Sequence, residues 1–348
     1  MVYETMSKVK TYIYDSKQII TTTTTIMSWS IPKILLQLTI PCWCILVPLG
    51  LLIHIWLLPY IIFRKLFSAK KTEQTYDVKV YQKGRRGDKV KTLVFIHGWP
   101  DSGALWNNIV DELQTGYRCI VVSLPGHARP VEGLDGWGYD FEDVRDLILD
   151  SINSKTTQDE KITLVAHDWG CAFAYMVQKA IPNKVERMVA LDIGSGGFEQ
   201  SIGMYIFVAS YQLFNIFCFL LGHPVGDWLL RVGVSQGYKA RPNKELYASM
   251  NYMYYYLWKR LLTSGNIDPN KSLRNLFAHY KSIDVDVCPV YFAYGKDKPG
   301  MFHSEKFIEY ISKNKLSKVE EFECDHWITV NKGKEVLKSI KFFLRSTD

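Results

Sequence analysis

The sequence predicts an α/β chain: a mostly parallel sheet flanked by helices, with a helical cap inserted late in the chain. Three observations predict it. Two short apolar runs, Thr92–Ile96 and Ile162–Val165, each end in a loop bearing histidine or aspartate, the pattern of buried parallel strands whose carboxyl ends carry the chemistry. The pentapeptide Ala166-His167-Asp168-Trp169-Gly170 sets a charged side chain between small residues directly after such a strand. Strand-like runs then give way between residues 195 and 282 to an apolar, tyrosine-rich stretch, and resume at Val290.

Taken in order, Thr92–Ile96 is the first clear strand, and it stops at His97-Gly98-Trp99-Pro100-Asp101, where glycine and proline favour a loop. Tyr117–Val122 reads as the next strand, followed by the loop Ser123-Leu124-Pro125-Gly126-His127. Trp137-Gly138-Tyr139-Asp140-Phe141 leads into a helix ending near Ile152. After Ile162–Val165 comes the pentapeptide. Small residues on both sides let the next helix pack close to the strand and leave the central side chain exposed on a strained turn. Serine is the common nucleophile in that slot; here Asp168 takes it, and a carboxylate attacks carbon by displacement to form an enzyme ester. Taken alone, the pentapeptide also fits a helix start capped by Asp168. Met188–Ala190 forms a further strand before Asp192. Val290–Tyr294 and Lys318–Cys324 are the last two, the latter followed by Asp325-His326-Trp327 and a helix over Lys334–Leu344.

Composition narrows the function classes. With 348 residues, 47% of them hydrophobic, the chain can bury a full core and an inserted subdomain. The net charge is +7, but lysine and arginine are dispersed without a basic, aromatic-interleaved stripe, which argues against a nucleic-acid partner. Seven cysteines lack paired or zinc-like spacing and fit reduced thiols.

The amino-terminal part is a separate unit. Residues 1–33 are a polar arm with a threonine run at 21–25. Residues 34–63 carry no formal charge, a stretch longer than the roughly 20 apolar residues that cross a bilayer. More lysine and arginine lie just after this segment than just before it, which places the chain beyond residue 63 on the cytosolic side. The expectation is a single-pass anchor, with the endoplasmic reticulum as its membrane; a hairpin or interfacial segment broken at Pro48 is the alternative. Ile202–Gly222 also lacks formal charge, but its position and the interruption at Tyr211-Gln212 favour a cap helix.

His97-Gly98-Trp99-Pro100 together with His167-Asp168-Trp169-Gly170 and the late His326 resembles the epoxide hydrolases of the α/β-hydrolase fold, over roughly residues 75 to 345. The resemblance divides that region into a first core part, 75–194, a helical cap, 195–282, and a second core part, 283–348. It implies Asp168 as nucleophile, His326 as the base that activates water against the ester, and the backbone N–H groups of Trp99 and Trp169 as oxyanion donors. Two cap tyrosines then donate to the epoxide oxygen. Tyr211, in Ser210-Tyr211-Gln212-Leu213-Phe214, is the first. For the second, the cluster after Asn251 permits Tyr252, Tyr254 or Tyr255, with Tyr254 preferred. The triad acid departs from the pattern: the family commonly shows Gly-x-x-Asp, and this chain reads Gly295-Lys296-Asp297-Lys298. Asp297 is ranked slightly ahead of Asp192, and the choice stays open. No metal or organic cofactor is implied; the partners are a small lipophilic epoxide, water and the membrane. Two rivals share the motifs, a haloalkane dehalogenase and a membrane-anchored protein that keeps the fold without turnover.

Overall fold

A computed structural model describes residues 78–81, 90–127, 137–194, 202–234, 242–263 and 283–346. The expected anchor at 34–63 lies outside the described residues. Among the described residues seven strands form one sheet: β1 (Val78–Tyr81), β2 (Thr92–Ile96), β3 (Arg118–Val122), β4 (Ile162–His167), β5 (Val185–Leu191), β6 (Val290–Gly295) and β7 (Lys318–Phe322). Their spatial order is β1-β3-β2-β4-β5-β6-β7. All neighbours run parallel except β1, which pairs antiparallel with β3 at the edge. That antiparallel strand was not read from the sequence.

Strands β2 and β4 are buried along their whole length, as expected where helices cover both faces of a parallel sheet. Alternate side chains serve opposite layers. Val94, Ile96, Leu164, Ala166 and Phe292 pack with residues of α2 (Phe141–Asn153) and α3 (Trp169–Ala180). Leu93, Phe95, Val165, Leu191 and Tyr291 face α1 (Asn107–Leu113) and the last helix, Gly333–Ser346. That last helix buries Val336, Ile340, Phe343 and Leu344, one stripe at helical spacing. A capping box starts α2: the Asp140 carboxylate accepts from Asp143 N, and the Asp143 carboxylate accepts from Asp140 N, while Phe141 N also donates to Asp140.

Register brings the site together. Ala166 lies opposite Ile96 on one side and Ala190 on the other, and Leu191 lies opposite Ala293. The loops bearing Trp99, Asp168 and Asp192 therefore leave the sheet at one carboxyl edge.

Three helices stand over that edge: α4 (Ile202–Leu221), α5 (Val225–Val234) and α6 (Tyr252–Thr263). Among the described residues, Gly203–Leu221 is long and apolar enough to cross a membrane by length and composition alone. Its polar residues point elsewhere: Gln212 and Asn215 are buried, Gln212 accepts from the Trp258 indole at 2.9 Å, and the Asn215 carbonyl accepts from Asn251 at 3.1 Å. These bonds tie α4 to the segment containing α6. Arg260 of α6 in turn binds Asp140 and Glu142 at the start of α2, linking the cap to the core.

Candidate active site

Asp168 sits at the junction of β4 and α3 with φ 53° and ψ −130°. A non-glycine residue seldom adopts positive φ, and here it lifts the carboxylate above the sheet edge. Close packing on both sides enforces this turn. A Cβ on Gly170 would meet the Ile96 carbonyl oxygen at 2.3 Å, and one on Gly98 would meet Asp168 Oδ2 at 2.4 Å and Trp169 N at 2.5 Å.

The two carboxylate oxygens of Asp168 have different surroundings. Oδ2 accepts from the backbone N–H of Trp99 at 2.8 Å, and the Trp169 N–H also stabilises the charge. Oδ1 faces His326 Nε2 at 3.3 Å. Burial opposes ionisation of Asp168, yet the His326 contact, His167 and the Trp169 N–H outweigh it and hold the carboxyl below its ordinary range. Oδ1 is thus an anionic oxygen available for attack. Oδ2 rests where backbone donors would meet an oxyanion formed at the same carbon.

His326 Nδ1 donates to Asp192 Oδ2 at 2.5 Å, which fixes the ring and its tautomer. Asp192 is fully buried, directly follows β5 with φ 73°, and takes two more donors on Oδ1: Gly295 N at 2.9 Å and Lys298 Nζ at 2.5 Å. Burial would raise its pKa, but His326 and Lys298 hold it far below the usual carboxylate range. The structure corrects the preference for Asp297. That residue is exposed, and the carboxylate against His326 comes from the end of β5 rather than from the loop after β6. Burial disfavours the His326 cation, but Asp192 and Asp168 overcome it and raise the imidazole to about 10.

Tyr211 and Tyr254 come together above Asp168, their rings 5.8 Å apart and nearly perpendicular. Burial drives both phenols up, Tyr211 to about 12 and Tyr254 well above its ordinary value, and the Asp168 charge adds to both shifts. Each therefore stays a neutral donor at pH 7. Tyr254 is wedged edge-on against the indoles of Trp99 and Trp169, at 5.4 and 5.6 Å. The other members of the tyrosine cluster turn away. Tyr252 packs against Tyr139 and His127, and Tyr255 against Trp137 and Phe219.

Some contributors had no distinct signal in the sequence. His167, fully buried, donates from Nε2 to the His326 carbonyl at 3.0 Å and so steadies the late loop. Asn251 accepts from the Trp99 indole at 2.6 Å. Lys298 stands where the family resemblance places an acid. A surface cleft of about 780 Å³ lined by Asn153, Asp159, Lys161, Asn183 and Lys184 lies at the amino ends of the strands and contains none of these groups. Among the described residues no cluster of His, Cys, Asp and Glu is arranged to hold a metal.

A carboxylate on a strained elbow, two backbone donors, and a histidine oriented by a buried aspartate thus stand together at the carboxyl edge of the sheet, the arrangement that an activated nucleophile and its base require. Residues 93–338 match the Alpha/beta hydrolase family, and the chain belongs to that family. Among curated relatives it is similar to an AB hydrolase superfamily protein, YfhM, of Bacillus subtilis, at 33% identity over 29% of this chain and 35% of the relative. It is also similar to a haloalkane dehalogenase of Mesorhizobium japonicum, at 30% identity over 27% and 29%, and to a soluble epoxide hydrolase of Corynebacterium sp., at 31% over 39% and 45%. The chain thus spans less than half the length of each. In fold it is similar to an epoxide hydrolase from Bacillus megaterium, with a TM-score of 0.54 at 18% identity, covering 78% of this chain and 97% of that one.

Proposed function

We propose that the protein is an epoxide hydrolase that converts lipophilic epoxides to vicinal diols through an ester on Asp168. The observation that carries this reading is the pair of neutral phenols, Tyr254 buried and Tyr211 half-buried, beside an aspartate nucleophile. An epoxide leaves as an alkoxide on the same molecule, and two uncharged donors suit that charge.

In the first step Asp168 Oδ1 forms a bond to one ring carbon, the C–O ring bond breaks, and a tyrosine gives the alkoxide its proton. Esterification removes the negative charge beside His326 Nε2, so His326 loosens its proton, restores the phenol through solvent and becomes neutral. Neutral His326 then takes a proton from water while hydroxide adds to Asp168 Cγ. The oxyanion on Oδ2 is met by the N–H groups of Trp99 and Trp169. Collapse expels the diol oxygen, which takes the proton of the added hydroxyl, and returns Asp168 as carboxylate and His326 as imidazolium.

A dehalogenase is the second reading, favoured by the acid after β5, a placement found in related dehalogenases. Against it stand Trp99, where those enzymes typically carry an asparagine, and the two tyrosines. One experiment separates the readings: mass spectrometry of the Asp168 peptide after His326→Gln protein meets an epoxy fatty acid or a haloalkane. An adduct equal to the whole epoxide supports the hydrolase. An alkyl adduct with halide release supports the dehalogenase, and no adduct from either supports a protein without turnover.

The uncharged segment 34–63 is proposed as a single-pass anchor, with the catalytic part on the cytosolic side of the endoplasmic reticulum. Complete release by carbonate washing would remove that proposal.

A further inference from the structure

Lys298 Nζ is 2.5 Å from Asp192 Oδ1, with the lysine side chain 4% exposed and the aspartate fully buried. A lysine so deeply buried needs a compelling partner, because an ammonium loses most of its hydration there. Its ammonium also lies over the ring of Phe302, with Nζ 5.3 Å from the centroid, and its charge is felt by His303. The geometry divides Asp192 cleanly: Gly295 N and Lys298 occupy Oδ1, and Oδ2 is left to His326 Nδ1.

We infer that Lys298 is a positioning residue: it fixes Asp192 so that only Oδ2 meets His326, and its charge limits how tightly that carboxylate holds the proton on His326. The inference rests on His326 being the base of the proposed reaction. At rest the groups alternate in sign along the row Asp168, His326, Asp192, Lys298. Esterification neutralises the first. A lone buried Asp192 would then keep His326 protonated and idle, whereas an Asp192 shared with Lys298 lets it release its proton and act. The other titratable groups facing this row are His167, whose ring centroid is 4.8 Å from that of His326, His303 and Cys324, which both feel the Asp192 charge, and the buried Cys171 thiol, which feels Asp168 and Asp192 and which burial pushes well up, so that it stays neutral. Burial holds His303 near 4 and the Cys324 thiol near 11, so neither duplicates a permanent cation beside Asp192. Tyr211 and Tyr254 reach the row only through Asp168.

The test uses the full chain with 15N-labelled histidine, monitoring the His326 ring by NMR across pH, in an Asp168→Asn background that stands in for the neutral ester. Lys298→Gln keeps a hydrogen-bond donor but no charge; Lys298→Arg keeps the charge. The expected result is a His326 titration moved upward by about one pH unit in Lys298→Gln and in Lys298→Met, with Lys298→Arg close to the parent. On the otherwise native chain, hydrolysis of the Asp168 ester should shift to higher pH by a similar amount, with ester formation little changed. An unmoved His326 titration in the neutral variants overturns the inference. So does loss of folding in both of them, which would make the lysine a structural counter-ion. Because the titration needs no substrate, failure to turn over epoxides would remove the proposed reaction and leave this result standing by itself.

Discussion

Replacing Asp192 with asparagine removes one charge from the row that sets up His326, and its consequences separate into three measurable effects. Asp192 Oδ2 accepts from His326 Nδ1 at 2.5 Å, and Oδ1 binds Lys298 Nζ at 2.5 Å, with both Asp192 and Lys298 essentially excluded from solvent. Asparagine is nearly isosteric but neutral, and its amide can present a donor to His326 Nδ1, selecting the wrong tautomer. By analogy with other histidine–aspartate pairs, such a change costs about 10³ to 10⁴ in rate. It should fall on ester hydrolysis, so an Asp168 adduct should accumulate. Lys298 meanwhile loses its counter-charge, at a cost of about 3–5 kcal/mol for a broken buried pair. In a unit of this size that is a drop in melting temperature on the order of 10 °C. Stopped-flow diol release, intact-protein mass and thermal unfolding measure the three effects. The double variant Asp192→Asn/Lys298→Met should recover much of the stability and none of the rate. Asp297→Asn, at an exposed position, should stay within about twofold of the parent in rate, since surface changes seldom matter beyond a few tenths of a kcal/mol. A parent-like rate in Asp192→Asn together with a large loss in Asp297→Asn would refute this assignment of the acid.

Three further outcomes are expected from the same geometry. Tyr211→Phe and Tyr254→Phe should each slow ester formation by roughly 10- to 100-fold in single-turnover kinetics and leave hydrolysis of a preformed ester unchanged; equal effects on both steps would contradict their role at the epoxide oxygen. Gly170→Ala puts a Cβ 2.3 Å from the Ile96 carbonyl oxygen and should destabilise the protein by at least about 2 kcal/mol in urea unfolding, with parent-like stability counting against the close helix–strand contact. His167 and His303 are lowered by burial to about 4 from an ordinary histidine value near 6.5. Between those values the unfolded chain takes up protons that the folded one refuses, so stability should be complete above pH 6.5 and fall by roughly 3 kcal/mol per histidine on approaching pH 4. Flat stability from pH 7 to 4.5 would show that these rings are not held neutral.

Much of the site was legible because its identity-bearing residues come directly after strands. Apolar runs located β2, β4 and β6, and the small residues around Asp168 announced a strained turn, since only a tight helix–strand approach requires them. Tyr211 and Tyr254 were legible through resemblance and position in the inserted stretch. The edge strand β1 was not: four residues of mixed polarity carry too little pattern to distinguish a strand from a loop.

The triad acid shows where sequence stops. Asp192 and Asp297 both come after a strand, both lie near the carboxyl edge, and local spacing ranks them about equally. What separates them is the register of β5 against β4 and β6, which sets Asp192 against Gly295 N. Its positive φ then turns the carboxylate toward His326. Likewise, Tyr252, Tyr254 and Tyr255 are indistinguishable as letters; helical phase sends Tyr254 to Trp99 and Trp169 and its neighbours to the core and to Trp137. By itself the sequence determined which chemical groups were present and which loops bore them, because hydrophobic pattern and turn residues are local properties. Only the tertiary structure decided which carboxylate faces His326, which tyrosines share the site and what Lys298 binds, because the contacts of Asp192 with His326 and Lys298 join segments more than 100 residues apart in the chain.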